Sequence, residues 1–232
     1  MRRVGILGGM GPEATVALMA RIIAAVPARD DADHVPLIVD QNPQVPSRIA
    51  RIIEGTGADP APVLVAMAQR LEVAGAQALC IACNTAHRWA DDIRAAVTVP
   101  LIDMVALSVA LSVAQAVRPG PDVVILASPA VRMAGVSDRA CAQTGVTARY
   151  GEDVAALLAL IRRIKAEGAT GATRRDFALL SAQAGGAVQI VACTEFSLVA
   201  GAAPPGVVLV DALDVLARAV VEFSLGHDLG EP

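Results

Sequence analysis

Lysine is nearly missing from this chain: Lys165 stands alone against 18 arginines. A pyridoxal-phosphate enzyme would have to form its Schiff base there, and nothing around Ile164-Lys165-Ala166-Glu167-Gly168 resembles such a site. Aromatic residues are scarce as well, with Trp89, Tyr150, Phe177, Phe196 and Phe223 the whole set. That argues against a stacking platform for bases or sugars. A net charge of −4 with no basic stripe argues against nucleic acid as a partner. Although 55% of residues are hydrophobic and mean hydropathy is +0.55, there is no apolar run of about 20 residues, the length that a membrane crossing needs. The longest candidate, Met104 to Val117, is 14 residues and contains Ser108, Ser112 and Gln115. It reads as a helix buried in a core, or else in a subunit interface. Gly8, Gly9 and Gly11 interrupt the only N-terminal apolar run, so no signal segment is expected. The three histidines have no metal-ligand spacing, and no metal is expected. Four cysteines without other secretory features point to thiols in a cytoplasmic protein.

What the chain does have is two cysteines at matching points. Ala78 to Ala82 is an apolar run ending at Cys83-Asn84-Thr85-Ala86-His87; Val188 to Ala192 is another ending at Cys193-Thr194-Glu195. Short apolar runs of this kind read as buried strands of a parallel sheet. Open α/β folds place their chemistry where such strands give way to helices. The surroundings repeat too. Gly5 to Gly9 answers Val123 to Ala127, Val99 to Asp103 answers Val207 to Asp211, and the cysteine-to-aspartate separations are 20 and 18 residues. The reading is α/β, with two pseudo-twofold-related lobes, each a parallel sheet flanked by helices. Residues 1–103 form one lobe and 104–211 the other, with a C-terminal helix in 212–232 packing back on the first.

Within this frame, strands are expected at Val4–Leu7, Val35–Val39, up to Ala82, Val99–Ile102, Asp122–Ala127, Thr147–Tyr150, up to Ala192, and Val207–Val210. The main helices are expected at Ala14–Val26, Pro60 to near Gly75, from Cys83 to Val97, and Met104–Val117. Those of the second half are Ala130–Thr144, Asp153–Glu167, Thr173–Ala184 and Leu213–Leu225. Pro43 to Arg48 holds two prolines and must be irregular, which suits an active-site loop.

Inverting a carbon centre by proton transfer needs a base on one face and an acid on the other, and two facing thiols supply both. A thiol pKa of about 8.5 falls at a helix N-terminus, so one cysteine can be thiolate while the other keeps its proton. Buried cysteines are commonly inert core residues; two at matched strand ends favour function.

The stretches Gly5-Ile6-Leu7-Gly8-Gly9-Met10-Gly11-Pro12-Glu13-Ala14-Thr15, Cys83-Asn84-Thr85-Ala86-His87 and Cys193-Thr194-Glu195 resemble the aspartate/glutamate racemase superfamily, its aspartate-racemase branch above all. The likeness covers almost the full length. It implies a cofactor-independent, two-base racemase of an acidic amino acid, with Cys83 and Cys193 as the acid/base pair and the substrate held between the lobes. The chain's partner is then a small-molecule amino acid, and the apolar stretch Met104 to Val117 is what points to a homodimer. Arg48, after Asn42-Pro43-Gln44-Val45-Pro46-Ser47, matches a family arginine that binds a substrate carboxylate, and Lys165 a family lysine with the same task. Asn84, Thr85 and Thr194 are implied as hydrogen-bond donors, and Met10 and Asn42 as neighbours of the substrate. Glu195 stands where glutamate racemases carry a histidine, and a supporting carboxylate is expected there. His87 either braces the helix or touches substrate.

One segment departs from the family pattern. Thr-x-Gly-Thr is usual after the strand ending at Ala127, and here the residues are Ser128-Pro129-Ala130-Val131. Ser128 keeps a hydroxyl; Val131 does not replace a threonine donor. Ser137 stands near the place of a family tyrosine.

Three other readings are weaker. Gly9-Met10-Gly11-Pro12-Glu13-Ala14 fits a dinucleotide-binding pattern, but Glu13 would face a pyrophosphate of like charge. Cys80-Ile81-Ala82-Cys83 has redox-motif spacing, yet residues three apart on a strand point to opposite faces. A related enzyme for glutamate, neutral amino acids or hydantoins, or a non-catalytic carboxylate-binding paralogue, stands as the alternative function.

Overall fold

The computed structural model describes residues 1–115 and 123–227. The end of the expected 104–117 helix, Asp122 and the last five residues of the C-terminal segment lie outside the described residues. The chain divides into two compact units, Met1–Met104 with Leu213–Pro232, and Val105–Ala212.

In the first unit, β1 (Val4–Gly8), α1 (Pro12–Ala25), β2 (Leu37–Gln41), α2 (Ala61–Val73), β3 (Ala78–Ile81), α3 (Ala90–Ala96) and β4 (Leu101–Ile102) follow one another. The sheet is parallel, in the order β2-β1-β3-β4. The two inner strands, β1 and β3, are buried at every residue, which is why they read as unbroken apolar runs. Helix α1 starts with Pro12 at its first turn and buries Ala14, Leu18 and Ile22, one residue per turn on a single face. Met10, Val45 and Cys83 share a hydrophobic cluster with Leu64, Met67 and Leu71 of α2.

The second unit repeats this plan. After α4 (Met104–Gln115) come β5 (Val123–Ala127), α5 (Pro129–Ala134), α6 (Val136–Gln143), β6 (Ala148–Tyr150), α7 (Val154–Glu167) and α8 (Gly171–Ala184). β7 (Val188–Ala192), α9 (Thr194–Ser197) and β8 (Val208–Asp211) follow. Its parallel sheet has the order β6-β5-β7-β8. Gln189 lies wholly buried in β7, where its amide donates to the carbonyls of Ser181 and Gly185 and its oxygen accepts from Ser181 Oγ. Every polar atom of that side chain thus has a partner, which is what makes it tolerable in a core.

The last helix, α10 (Ala212–Ser224), belongs to the first unit. The Arg2 guanidinium lies 3.9 Å from the Phe223 ring centroid and donates to the Phe223 carbonyl, Ser224 Oγ donates to the Arg2 carbonyl, and Arg21 pairs with Asp214 at 3.0 Å.

Four expectations about local structure need correction. β2 starts at Leu37 rather than Val35, and β4 at Leu101 rather than Val99. In both cases a proline, Pro36 or Pro100, precedes the strand and offers only its carbonyl, to Val4 N and Leu79 N respectively. The single helix expected over 130–144 is two, broken at Gly135, whose φ of +63° ends α5. After Cys83 the chain makes a 3₁₀ turn, Thr85–Trp89, before α3 begins. A π-helical turn at Ala50–Glu54 had no visible signal in the sequence.

Candidate active site

Each unit gathers its polar residues at the C-terminal end of its two inner strands. In the first, Ala82 N donates to the Leu7 carbonyl and Asn42 N to the Gly8 carbonyl, so the turns after β1, β2 and β3 lie side by side. Gly9 has φ +87°, and a Cβ there would stand 2.4 Å from the Asn42 carbonyl carbon. Only glycine allows that approach. Gly9 N donates to Thr15 Oγ1 at 2.9 Å, which ties the turn to α1. Met10, only 2% exposed, is packed in the cluster that contains Cys83.

Asn42 spends its side-chain oxygen on Gln44 N, at 3.0 Å, and so shapes its own loop. Arg48 Nη1 donates to the carbonyls of Val45 (2.9 Å) and Pro46 (2.8 Å). Those two bonds hold the guanidinium of this half-buried residue in place, while no carboxylate pairs with it among the described residues. Cys83, Asn84 and Thr85 are all buried, and Asn84 Nδ2 has no hydrogen-bond partner among the described residues. A buried donor left over in this way needs an acceptor, and its surroundings supply none. His87 is buried too, and its Nδ1 donates to the Cys83 carbonyl at 2.9 Å.

In the second unit, Ala127 pairs with Ala192, so the next residues, Ser128 and Cys193, leave neighbouring strand ends together. Ser128 Oγ accepts from Val131 N at 3.3 Å and caps α5. Val131 is itself buried in the core, which accounts for an apolar residue at that place.

Helix α7 packs on α9. That contact brings Lys165, in the last turn of α7, against Glu195, and the two form an ion pair. Glu195 Oε2 accepts from Cys193 Sγ at 3.0 Å. Lys165, Glu195 and Cys193 therefore form a chain of ammonium, carboxylate and thiol, with Thr194 buried beside them. The sequence assigns Lys165 a carboxylate of the substrate and Glu195 a supporting place in the site, and does not anticipate that the two meet.

Electrostatics at Cys193 also differ from the expectation of a depressed thiol. Burial, then the negative charge of Glu195, pushes its pKa well above the ordinary thiol range, with Lys165 acting the other way. Helix α9 has four residues, too few for a dipole that would offset burial. Cys80 and Cys141 are held as thiols by the same physics. Burial pushes Cys80 up to about 12, and burial with Asp138 pushes Cys141 up to about 11.

Among the described residues there is no cluster that suits a metal ion and no helix long and apolar enough to cross a membrane. Solved structures with the same fold include aspartate racemase from Picrophilus torridus, with 23% identity, a TM-score of 0.85, and 97% of this chain and 94% of that one covered. An aspartate racemase homologue from Pyrococcus horikoshii OT3 has 21% identity, a TM-score of 0.72 and coverage of 97% and 100%. Glutamate racemase from Francisella tularensis, in complex with D-glutamate, has 18% identity, a TM-score of 0.66 and coverage of 99% and 84%. The model of the Asp/Glu/Hydantoin racemase family matches residues 7–220. With nearly its whole length inside that match, the chain belongs to the Asp/Glu/Hydantoin racemase family, and with it to the amino-acid racemases.

Proposed function

We propose that this enzyme racemises an acidic amino acid, aspartate in particular, with Cys83 and Cys193 as its two acid/base groups and no pyridoxal phosphate. The observation that carries the reading is the Cys193 thiol held on Glu195, which is in turn paired with Lys165. It gives one of the two cysteines a defined proton, the starting condition for a two-base exchange.

In that state Cys83, as thiolate, takes the α-proton from one face of the substrate. The C–H electron pair moves onto the α-carboxylate, and Cys193 delivers its proton to the opposite face. The product is the other enantiomer, with Cys83 now a thiol and Cys193 a thiolate. Lys165 offsets the charge of Glu195, so the new thiolate does not face an uncompensated carboxylate. Asn84 Nδ2, with Thr85 and Thr194, serves the α-carboxylate as charge builds there. Arg48 receives the side-chain carboxylate, since a guanidinium suits bidentate carboxylate binding. Met10, Asn42 and Ser128 complete the surroundings of the substrate.

Each single substitution, Cys83→Ser and Cys193→Ser, is expected to lower kcat by about 10³-fold or more. Full turnover in either variant contradicts the two-base scheme. A second reading is favoured by one observation. With Ser128 capping α5 and Val131 in the core, this strand end offers fewer hydroxyls than the family pattern. Glutamate, a neutral amino acid or a hydantoin is then the substrate, and the same assay run on those compounds decides between the two.

A further inference from the structure

The two aspartates that echo each other in the sequence, Asp103 and Asp211, take no part in the scheme above, yet each has the same place beside a cysteine. Val191, two residues before Cys193, pairs with Asp211 across the β7–β8 ladder. Cys80 pairs with Ile102 across β3–β4, so the next residues along, Ile81 and Asp103, lie level, again two before the cysteine.

The residue four positions after each cysteine repeats as well. In the second unit Ser197 N donates to the Cys193 carbonyl at 3.2 Å, while Ser197 Oγ donates to Asp211 Oδ1 at 2.5 Å. In the first unit His87 Nδ1 donates to the Cys83 carbonyl at 2.9 Å, while His87 Nε2 faces Asp103 Oδ1 at 3.9 Å. Nε2 is buried and has no hydrogen-bond partner among the described residues, so Asp103 is the polar group at hand for it. Arg94 holds the other oxygen of Asp103 at 2.7 Å, which fixes the carboxylate from outside. An imidazole in one unit, and the backbone N–H together with the hydroxyl of a serine in the other, thus connect the cysteine carbonyl to the aspartate of the neighbouring strand. The register and the offset of four residues are common to both units, while different groups make the contacts.

We propose that His87 with Asp103, and Ser197 with Asp211, are matched positioning pairs. Each clamps the turn that carries its cysteine to the adjacent strand and so fixes where the thiol points. The catalytic part of this statement rests on the racemase reading; the clamp itself does not. Misplacing a reacting group by about 1 Å can cost about 100-fold in rate, so such a clamp matters to turnover even though it touches no substrate.

The test measures alkylation of the whole protein by iodoacetamide at one alkaline pH, about 9, with Cys80, Cys83, Cys141 and Cys193 followed separately by peptide mass spectrometry. Ser197→Ala is expected to change the rate at Cys193 by about threefold to tenfold, in the direction of faster labelling, and to leave Cys83 unchanged. Asp103→Asn and His87→Ala should do the reverse. His87→Asn should bring the Cys83 rate most of the way back, because its amide reproduces the Nδ1 donor. Under the racemase reading the same variants lower kcat while KM for aspartate stays within about twofold.

A purely structural role loosens the whole unit, so that Cys141 labels faster along with Cys193, or Cys80 along with Cys83; under the clamp those two buried thiols keep their wild-type rates. Rates that move at Cys83 and Cys193 together, or at neither, overturn the proposal. If His87→Ala does not fold, Ser197→Ala and Asp103→Asn decide the matter. A wild-type protein that racemises nothing but shows cysteine-selective labelling removes the racemase reading and keeps the clamp; turnover without selectivity removes the clamp alone.

Discussion

Glu195 sits between two groups with opposite demands. Its carboxylate keeps the Cys193 proton in place, and Lys165 limits how strongly it does so. Removing the negative charge with Glu195→Gln eases formation of the thiolate. Cys193 should then be alkylated faster at mildly alkaline pH while racemisation falls, because the donor is no longer held. Lys165→Met acts the other way, and Cys193 should become slower to alkylate than in the wild type. A variant pair that shifts in one direction would show that the carboxylate does not govern the thiol. At Arg48 the expected effect is on substrate choice. Arg48→Gln should lower kcat/KM for aspartate by about 10-fold to 100-fold, as loss of a charge-assisted pair does, and should spare neutral amino acids. An unchanged preference takes Arg48 out of the specificity argument. Both cysteines were legible in the sequence because each terminates an apolar run. The partnership of Lys165 and Glu195 was not, since it arises from α7 packing on α9 and no local pattern encodes it. The spacing from each cysteine to its aspartate was visible, but its meaning depends on strand register, which spacing alone does not give.

At the scale of elements, the inner strands and most helices could be read directly, because burial on both faces of β1, β3, β5 and β7 leaves a plain compositional trace. Errors collected where one backbone group decided the outcome. Pro36 and Pro100 delayed two strands by withholding an N–H, and Gly135 split a helix by turning left-handed. The turn after β1 is the element on which the first unit's site depends most. Gly9→Ala forces both a positive φ and a clash with Asn42, and it should destabilise the protein by about 2 kcal/mol or more in chemical denaturation. A loss within error would mean that the Gly9–Asn42 approach is not needed. Capping at α5 is a smaller matter. Ser128→Ala removes one of the two acceptors of Val131 N, leaving the carbonyl of residue 128, and is expected to cost about 1 kcal/mol or less.

For the whole molecule, two units with one strand order, 2-1-3-4 repeated as 6-5-7-8, carry one cysteine each at the same topological point. Buried thiols also set how the protein responds to alkali. Cys80 and Cys141 keep their protons to about 12 and about 11 in the folded state, whereas an unfolded chain releases them near 9.0. The folded state then binds more protons across that window. Stability is therefore complete below about pH 9 and declines as pH rises, by up to about 1.4 kcal/mol per pH unit for each thiol. Thermal unfolding followed from neutral to strongly alkaline pH should show the decline, and Cys80→Ala should flatten it.

The most direct test of the central claim is incubation of the pure protein with L-aspartate, and separately with D-aspartate, in D₂O without added pyridoxal phosphate. Optical rotation and the α-proton NMR signal are followed together. The two-thiol account predicts that both enantiomers approach the racemate, that the newly formed enantiomer carries deuterium at the α-carbon, and that Cys83→Ser and Cys193→Ser each stop the process. Retention of the α-proton during inversion, or undiminished racemisation in either cysteine variant, would contradict it.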